Sequence, residues 1–210
     1  MELVLASNNS HKLRELGALL VPLGMRLIPQ GQLGIPEAEE PFVTFVENAL
    51  TKARHAAKLS AKPAIADDSG VSVQALGGEP GVFSARYAQK NGALSPSSTD
   101  VDAENNAFLL KQLQGVSNKN ARYICVLAAL RHEKDPEPLI TIGRWDVVAM
   151  EEARGQGGFG YDPVMLVPDL GKTVAELSIG EKNRISHRAQ AIQQMQQLMR
   201  TYWADLLPDA

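Results

Sequence analysis

The sequence predicts an α/β fold, because short apolar runs of strand character alternate with segments of helical periodicity. Three stretches carry that reading. Leu3 to Ala6 is an apolar strand that passes into a polar loop, Ser7-Asn8-Asn9-Ser10-His11-Lys12, and then into a helix with Leu13, Leu16 and Leu20 at helical spacing. Ala64, Ile65 and Ala66 read as the last residues of a buried strand that delivers two adjacent carboxylates, Asp67 and Asp68. Ala121–Leu130 and Leu139–Met150 are long apolar runs joined by HEKDPEP, the pattern of a strand pair that crosses the core and extends beyond it.

The first loop has functional interest of its own. Strand, polar loop and helix together present backbone amides and a helix N-terminus to an anion. Lys12 falls in the first turn, where a cation opposes the helix dipole unless an anion is expected there. Residues 25–30 suit a second strand, and the Gly-, Pro- and Glu-rich segment from Gln30 to Pro41 is a loop containing Glu37, Glu39 and Glu40. Thr44-Phe45-Val46-Glu47 has the form of a capping box and starts the next helix. Phe45, Ala49, Ala53 and Ala56 share one of its faces, with Lys52, Arg54, His55 and Lys58 on the polar side.

The chemistry is expected between Pro63 and Gly81. A strand ending in paired acids is a common way to hold a divalent cation at the edge of a sheet. Because strand side chains alternate, only one of Asp67 and Asp68 need face the site. For an isolated DDSG the competing reading is a turn in which Asp caps backbone amides. Further on, Ser84 to Ala88 suits one helical turn, and Asp102 to Gln114 a helix closed by Gly115. In Gly155-Gln156-Gly157-Gly158-Phe159-Gly160-Tyr161-Asp162-Pro163, four glycines let the backbone approach a ligand closely, with Phe159 or Tyr161 as a stacking face. The strand VMLV follows. Ser186 is placed as an N-cap, with His187 and Arg188 in the first turn of a long helix carrying Ala189, Ile192, Leu198 and Tyr202.

Composition narrows the class. The chain has 210 residues, a net charge of −3 and 21% charged residues, so no surface is built to coat a polyanion. Any phosphate must be met by a few placed Lys, Arg and backbone amides. The lone cysteine, Cys125, lies in the apolar run YICVLAAL, which suits a buried, inert thiol. One cysteine excludes an internal disulfide and a cysteine-rich zinc site, and fits a reducing cytoplasm. Neither a signal pattern nor a run of 18 apolar residues is present, so a soluble intracellular protein is expected.

Taken together, these segments resemble the inosine/xanthosine triphosphate pyrophosphatase family, which acts on non-standard purine nucleoside triphosphates. The resemblance spans essentially the whole chain, from LVLASNNSHKLREL to EKNRISHRAQAI. Its most specific blocks are FVENALTKARHAA, AIADDSGVSVQALGGEPGVFSARYA and GQGGFGYDPVMLVP. The first loop departs from the Thr-Gly-Asn frequent in the family. Ser7 keeps a hydroxyl, and Asn8 is a residue that can take the positive φ glycine would supply.

The resemblance implies one domain over residues 1–210, an elongated mixed β-sheet flanked by helices, with two lobes and a nucleotide cleft between them. It implies a homodimer that hydrolyses ITP, dITP and XTP to the monophosphate and pyrophosphate with Mg²⁺. The acidic balance disfavours nucleic-acid polymers as partners, and with no apolar run no membrane partner is expected of this cytoplasmic protein. Ser7, Asn8, Asn9, Ser10, His11 and Lys12 would then wrap the phosphates, and Lys52 would reach them from its helix. Magnesium would sit on Asp68 and Glu40, with Asp67 and Glu39 as neighbours. Asp68 would be the proton acceptor and Ser69 a substrate contact. Phe159 would stack on the base, Arg188 would donate to its 6-keto edge, and Gly160, Tyr161, Asp162, Lys182 and His187 would be further contacts. Two other classes stand against this reading. One is a nucleotide-sensing module, which would keep the basic and stacking residues and lose the acids. The other is a hydrolase of the terminal phosphate, which the absence of a GxxxxGK[ST] motif disfavours.

Overall fold

In the computed structural model, residues 2–207 are described, apart from the side chains of Ala18, Leu19 and Val21. Strands and helices alternate early in the chain, whereas later four strands follow one another and two helices come last. The strands are β1 (Glu2–Leu5), β2 (Arg26–Pro29), β3 (Ala64–Val73), β4 (Asn120–Leu130), β5 (Leu139–Ala149), β6 (Met165–Val167) and β7 (Lys172–Thr173). The helices are α1 (Ser10–Leu20), α2 (Phe45–Ser60), α3 (Tyr87–Lys90), α4 (Val101–Gln112), α5 (Ile179–Ile185) and α6 (His187–Tyr202). The seven strands form one sheet in the order β2-β1-β3-β4-β5-β6-β7. It is mixed, as expected: β1 runs parallel to β2 and β3, while β5, β6 and β7 pair antiparallel. Short 3₁₀ turns lie in half of the connections between these elements.

The chain divides into two compact units. The first comprises the chain up to Asp68, Cys125–Gly143, and the chain from His187 onward. Its core gathers Leu3, Leu5 and Ile65 of the sheet with Leu16 and Leu20 of α1, and Ile192, Met195 and Met199 of α6. The second comprises Ser69–Ile124 and Arg144–Ser186, with a core that includes Val71, Tyr87, Leu109, Tyr123, Trp145, Tyr161 and Met165.

Several boundaries differ from those expected. β3 does not stop at Ala66 but continues through both aspartates to Val73. Adjacent strand residues point to opposite faces, so this continuation separates Asp67 from Asp68. α1 begins at Ser10, because Asn9 caps it: Asn9 Oδ1 accepts from the backbone N–H of His11 (2.9 Å) and Lys12 (3.1 Å). α4 ends at Gln112, two residues early, and the SARYA turn splits into a 3₁₀ turn followed by α3. α5 was not foreseen. Its signal was legible: Ser178 and Glu181 form a full capping box.

Candidate active site

In the first unit, two clusters grow from the alternation of β3. Asp68 faces α2. Its Oδ1 accepts from Lys52 Nζ at 2.7 Å, and the same ammonium reaches Glu40 Oε1 at 2.6 Å. Lys52 therefore does not lie on the polar side of α2. It is buried beside Ala49, Ala53 and Ala56, since a residue three after one inner position and four before another shares their face. Thr44 caps the helix as expected, accepting from Glu47 N. Burial opposes the charge of Lys52, yet Asp68 and then Glu40 raise its pKa above the ordinary lysine value. Burial likewise lifts the Asp68 carboxyl above its usual range, against the pull of Lys52. Asp68 Oδ2 is buried with no hydrogen-bond partner. Glu39 is exposed.

Among the described residues, no three histidine, cysteine or acidic side chains gather as a metal cluster. Two carboxylates with an unsatisfied buried oxygen do fit magnesium, which takes one or two carboxylates and completes its octahedron with waters and substrate phosphates. Glu40 and Asp68 are the residues that would hold it.

Asp67 faces the other side and is fully buried. Its Oδ1 lies 2.6 Å from Lys12 Nζ, and its Oδ2 accepts from Arg188 Nε at 2.7 Å and from the Cys125 thiol at 3.2 Å. Burial would raise its pKa, but Arg188 and Lys12 hold it well below the usual carboxylate value. Arg188 also pairs through Nη1 with Glu15, a contact the sequence reading missed. Glu15 sits three residues after Lys12 on α1, so both point the same way. Burial, then Asp67, push the Cys125 thiol well up, which keeps it the inert buried thiol expected.

The first loop does more local work than expected. Ser7 Oγ accepts from Asn9 N at 3.1 Å. Asn8 does not take a positive φ: Ala61 is the one non-glycine residue among those described that does. The Asn8 side chain instead accepts from Gly31 N at 2.9 Å and donates to Glu37 Oε1 at 3.4 Å, tying the loop to the segment after β2. Ser10 is exposed at the start of α1, and His11 Nδ1 lies 3.0 Å from Arg14 Nη2. The amides of His11 and Lys12 already serve the cap, which leaves the Lys12 side chain as the loop's charged group. His187 opens α6 and is buried beside Arg188.

In the second unit, Asp162 organises the glycine-rich loop. Its Oδ1 accepts from Tyr123 OH at 2.9 Å, and its Oδ2 accepts from Phe159 N at 3.0 Å and Lys182 Nζ at 2.7 Å. Gly158 has φ +75°, and a Cβ there would fall 2.0 Å from Asp162 Oδ2. The tight loop needs glycine at that point. Lys182 Nζ lies 4.8 Å from the centre of the Phe159 ring, within cation–π range. The peptide at Gly160 is gripped from α4, its N–H by Asp102 at 2.7 Å and its carbonyl by Asn106 at 2.9 Å. Of the two stacking candidates, Tyr161 is buried in the core with its hydroxyl on the Ser84 carbonyl, while Phe159 is half-buried. Ser69 is half-buried in β3, directly after Asp68.

Comparison with known proteins places the chain in a family. A model of the Ham1 family matches residues 3–198. A dITP/XTP pyrophosphatase of Ralstonia nicotianae is 57% identical over 200 residues, covering 95% of this chain and 97% of that protein. One of Leptothrix cholodnii is 54% identical, covering 97% and 99% respectively. The solved structure of a HAM1 protein from Coxiella burnetii superposes with a TM-score of 0.86 at 46% identity, covering 96% of this chain and 99% of that one. The chain belongs to the Ham1 family.

Proposed function

We propose that this chain is a nucleoside triphosphate pyrophosphatase that hydrolyses ITP, dITP and XTP to the monophosphate and pyrophosphate, clearing deaminated purines from the nucleotide pool. The observation that carries the reading is the Glu40–Lys52–Asp68 cluster with its unsatisfied Asp68 Oδ2, found in a chain 57% identical to a dITP/XTP pyrophosphatase. A nucleophile must be deprotonated as the α–β anhydride breaks, and a buried carboxylate oxygen without a donor is a suitable acceptor. The water oxygen forms the new bond to phosphorus, its proton passes to Asp68, and pyrophosphate leaves with the bridging oxygen.

Magnesium, when bound to Glu40 and Asp68, would neutralise phosphate charge and help lower the pKa of water. Lys12 and Lys52 supply further positive charge to the triphosphate, supported by the loop of Ser7, Asn8, Asn9, Ser10 and His11. Ser69 is a substrate contact beside the base. Phe159 stacks on the purine, with Lys182 and Asp162 holding the loop that carries it. Arg188, with His187 alongside, donates to the 6-keto group. It has donors and no acceptor, so the 6-amino group of adenine would be left unpaired. The same reading takes residues 1–210 as one functional domain, forming a cytoplasmic homodimer that acts on free nucleotides and not on nucleic-acid polymers. No helix among the described residues is long and apolar enough to cross a membrane.

Asp68→Asn tests the reading. Turnover of ITP should fall by roughly a thousandfold or more, while nucleotide affinity changes only a few-fold, since the amide keeps the shape and loses the basic oxygen. Near-normal turnover would remove Asp68 from the role of base.

A further inference from the structure

We infer that Asp67, the acid next to the proposed base, is a positioning residue that serves both ends of the nucleotide through one carboxylate. The inference rests on the function proposed above. It departs from the expectation that Asp67 neighbours the metal, because β3 turns its side chain away from Glu40 and Asp68.

The geometry is specific. One oxygen of Asp67 holds Lys12, the cation assigned to the phosphates, at 2.6 Å, and the other holds Arg188, assigned to the base, at 2.7 Å. The carboxylate has no solvent exposure, and Arg188 has 2%, so water does not screen the Arg188 pair. Lys12 is more open, with 16% of its side chain exposed, as suits a group that must still meet a ligand. Glu15 closes a ring: it takes the opposite side of the Arg188 guanidinium and returns to Lys12 through one turn of α1. The Cys125 thiol adds a third donor to Asp67. Three elements, α1, β3 and the first turn of α6, are thereby tied at one point.

A long side chain such as lysine loses much rotamer freedom when it is held in place. A cation held before the ligand arrives does not have to be ordered at that moment. Asp67 does this for Lys12, and it fixes the planar fork of Arg188 in one orientation. It touches neither the water nor the scissile bond in this account. The consequence is a signature that a core residue would not give. Loss of the Asp67 charge should weaken phosphate binding and blunt base discrimination together, with the chemical step largely intact.

The experiment compares Asp67→Asn with the unaltered protein for ITP and ATP, with a thermal melt to establish that the variant is folded. KM for ITP should rise roughly tenfold and the ITP/ATP ratio of kcat/KM should fall by a similar factor, from the loss of two charge-assisted hydrogen bonds, while kcat changes less than about threefold. A fall in kcat alone would put Asp67 in the hydrolytic machinery and overturn the inference. So would unchanged KM and ratio. Removing one partner of a buried charge set can prevent folding. The double variant Asp67→Asn/Lys12→Met removes a balanced pair and leaves Arg188 with Glu15. Compared with Lys12→Met alone, it should still lose ITP/ATP discrimination, and equal ratios would refute the positioning of Arg188. A readout independent of turnover is acetylation of lysines, followed by mass spectrometry. Lys12 should label several-fold faster in Asp67→Asn, with Lys52 unchanged. Faster labelling in a protein that proves inactive on ITP in its unaltered form would uphold the positioning of Lys12 and reject the proposed substrate. Unchanged labelling would reject the positioning itself.

Discussion

Replacing Gly143 by alanine should damage the start of α6 and, through it, Arg188. Gly143 lies within β5, where a Cβ would fall 1.8 Å from the His187 carbonyl oxygen and 2.8 Å from Ala191 N. Ordinary van der Waals separation is about 3.5 Å, so helix and strand must part by roughly 1.5 Å. Overpacking of this kind costs about 1–3 kcal/mol. The 2.7 Å bond from Arg188 Nε to Asp67 cannot persist through such a shift. Its loss adds about 1.5–3 kcal/mol, as is typical for a hydrogen bond to a charged group. The total, about 2.5–6 kcal/mol, corresponds to a melting temperature lower by roughly 5–20 °C for a chain of this length. The assay is a thermal melt followed by circular dichroism, beside the ITP/ATP ratio of kcat/KM, which should fall with it. Gly17→Ala is the control: nothing lies within 4 Å of its Cβ in α1, and it should stabilise by about 0.5–1 kcal/mol. A Gly143→Ala protein that melts within about 2 °C of the parent, with its ratio intact, would refute the reasoning.

Two other outcomes follow from the site. Burial raises the pKa of Asp68, and a base must be ionised to act, so kcat/KM should fall as pH drops through a value above the ordinary carboxylate figure of about 4. Lys52→Met removes the charge that pulls this value down and should shift the acid limb of the profile upward. A limb that stays in place would detach it from Asp68. Gly158→Ala should force Asp162 off Phe159 N and Lys182 and cost about 1–2 kcal/mol in backbone conformation alone, raising KM for ITP roughly tenfold. An unchanged KM would mean that the loop does not present Phe159 to a ligand.

The elements were legible where local chemistry is strong. The Thr44 N-cap, the long strands β4 and β5, and the first strand–loop–helix all stand close to their predicted places, because caps and periodicity act over a few residues. The reciprocal half of the Thr44 box does not form, since Glu47 accepts from the Thr44 hydroxyl instead. The paired acids were found, but their opposite orientation was hidden, since it depends on β3 continuing past Ala66 and on what packs against each face. Lys52 was assigned to the wrong side of α2 because a lysine on an alanine-rich face looks solvated until its two carboxylate partners are known. Glu15 and Asp102 were missed for the same reason: their partners lie far away in sequence, at Arg188 and Gly160. Gly143 carried a signal that went unread. A glycine inside an apolar strand often marks a close backbone approach.

The most direct measurement of the central claim is the product pair formed from ITP and Mg²⁺ by the purified protein, run beside ATP. The account predicts IMP and pyrophosphate from ITP, with far less turnover of ATP. IDP and phosphate would contradict the assigned scissile bond, and binding without turnover would contradict the enzyme itself.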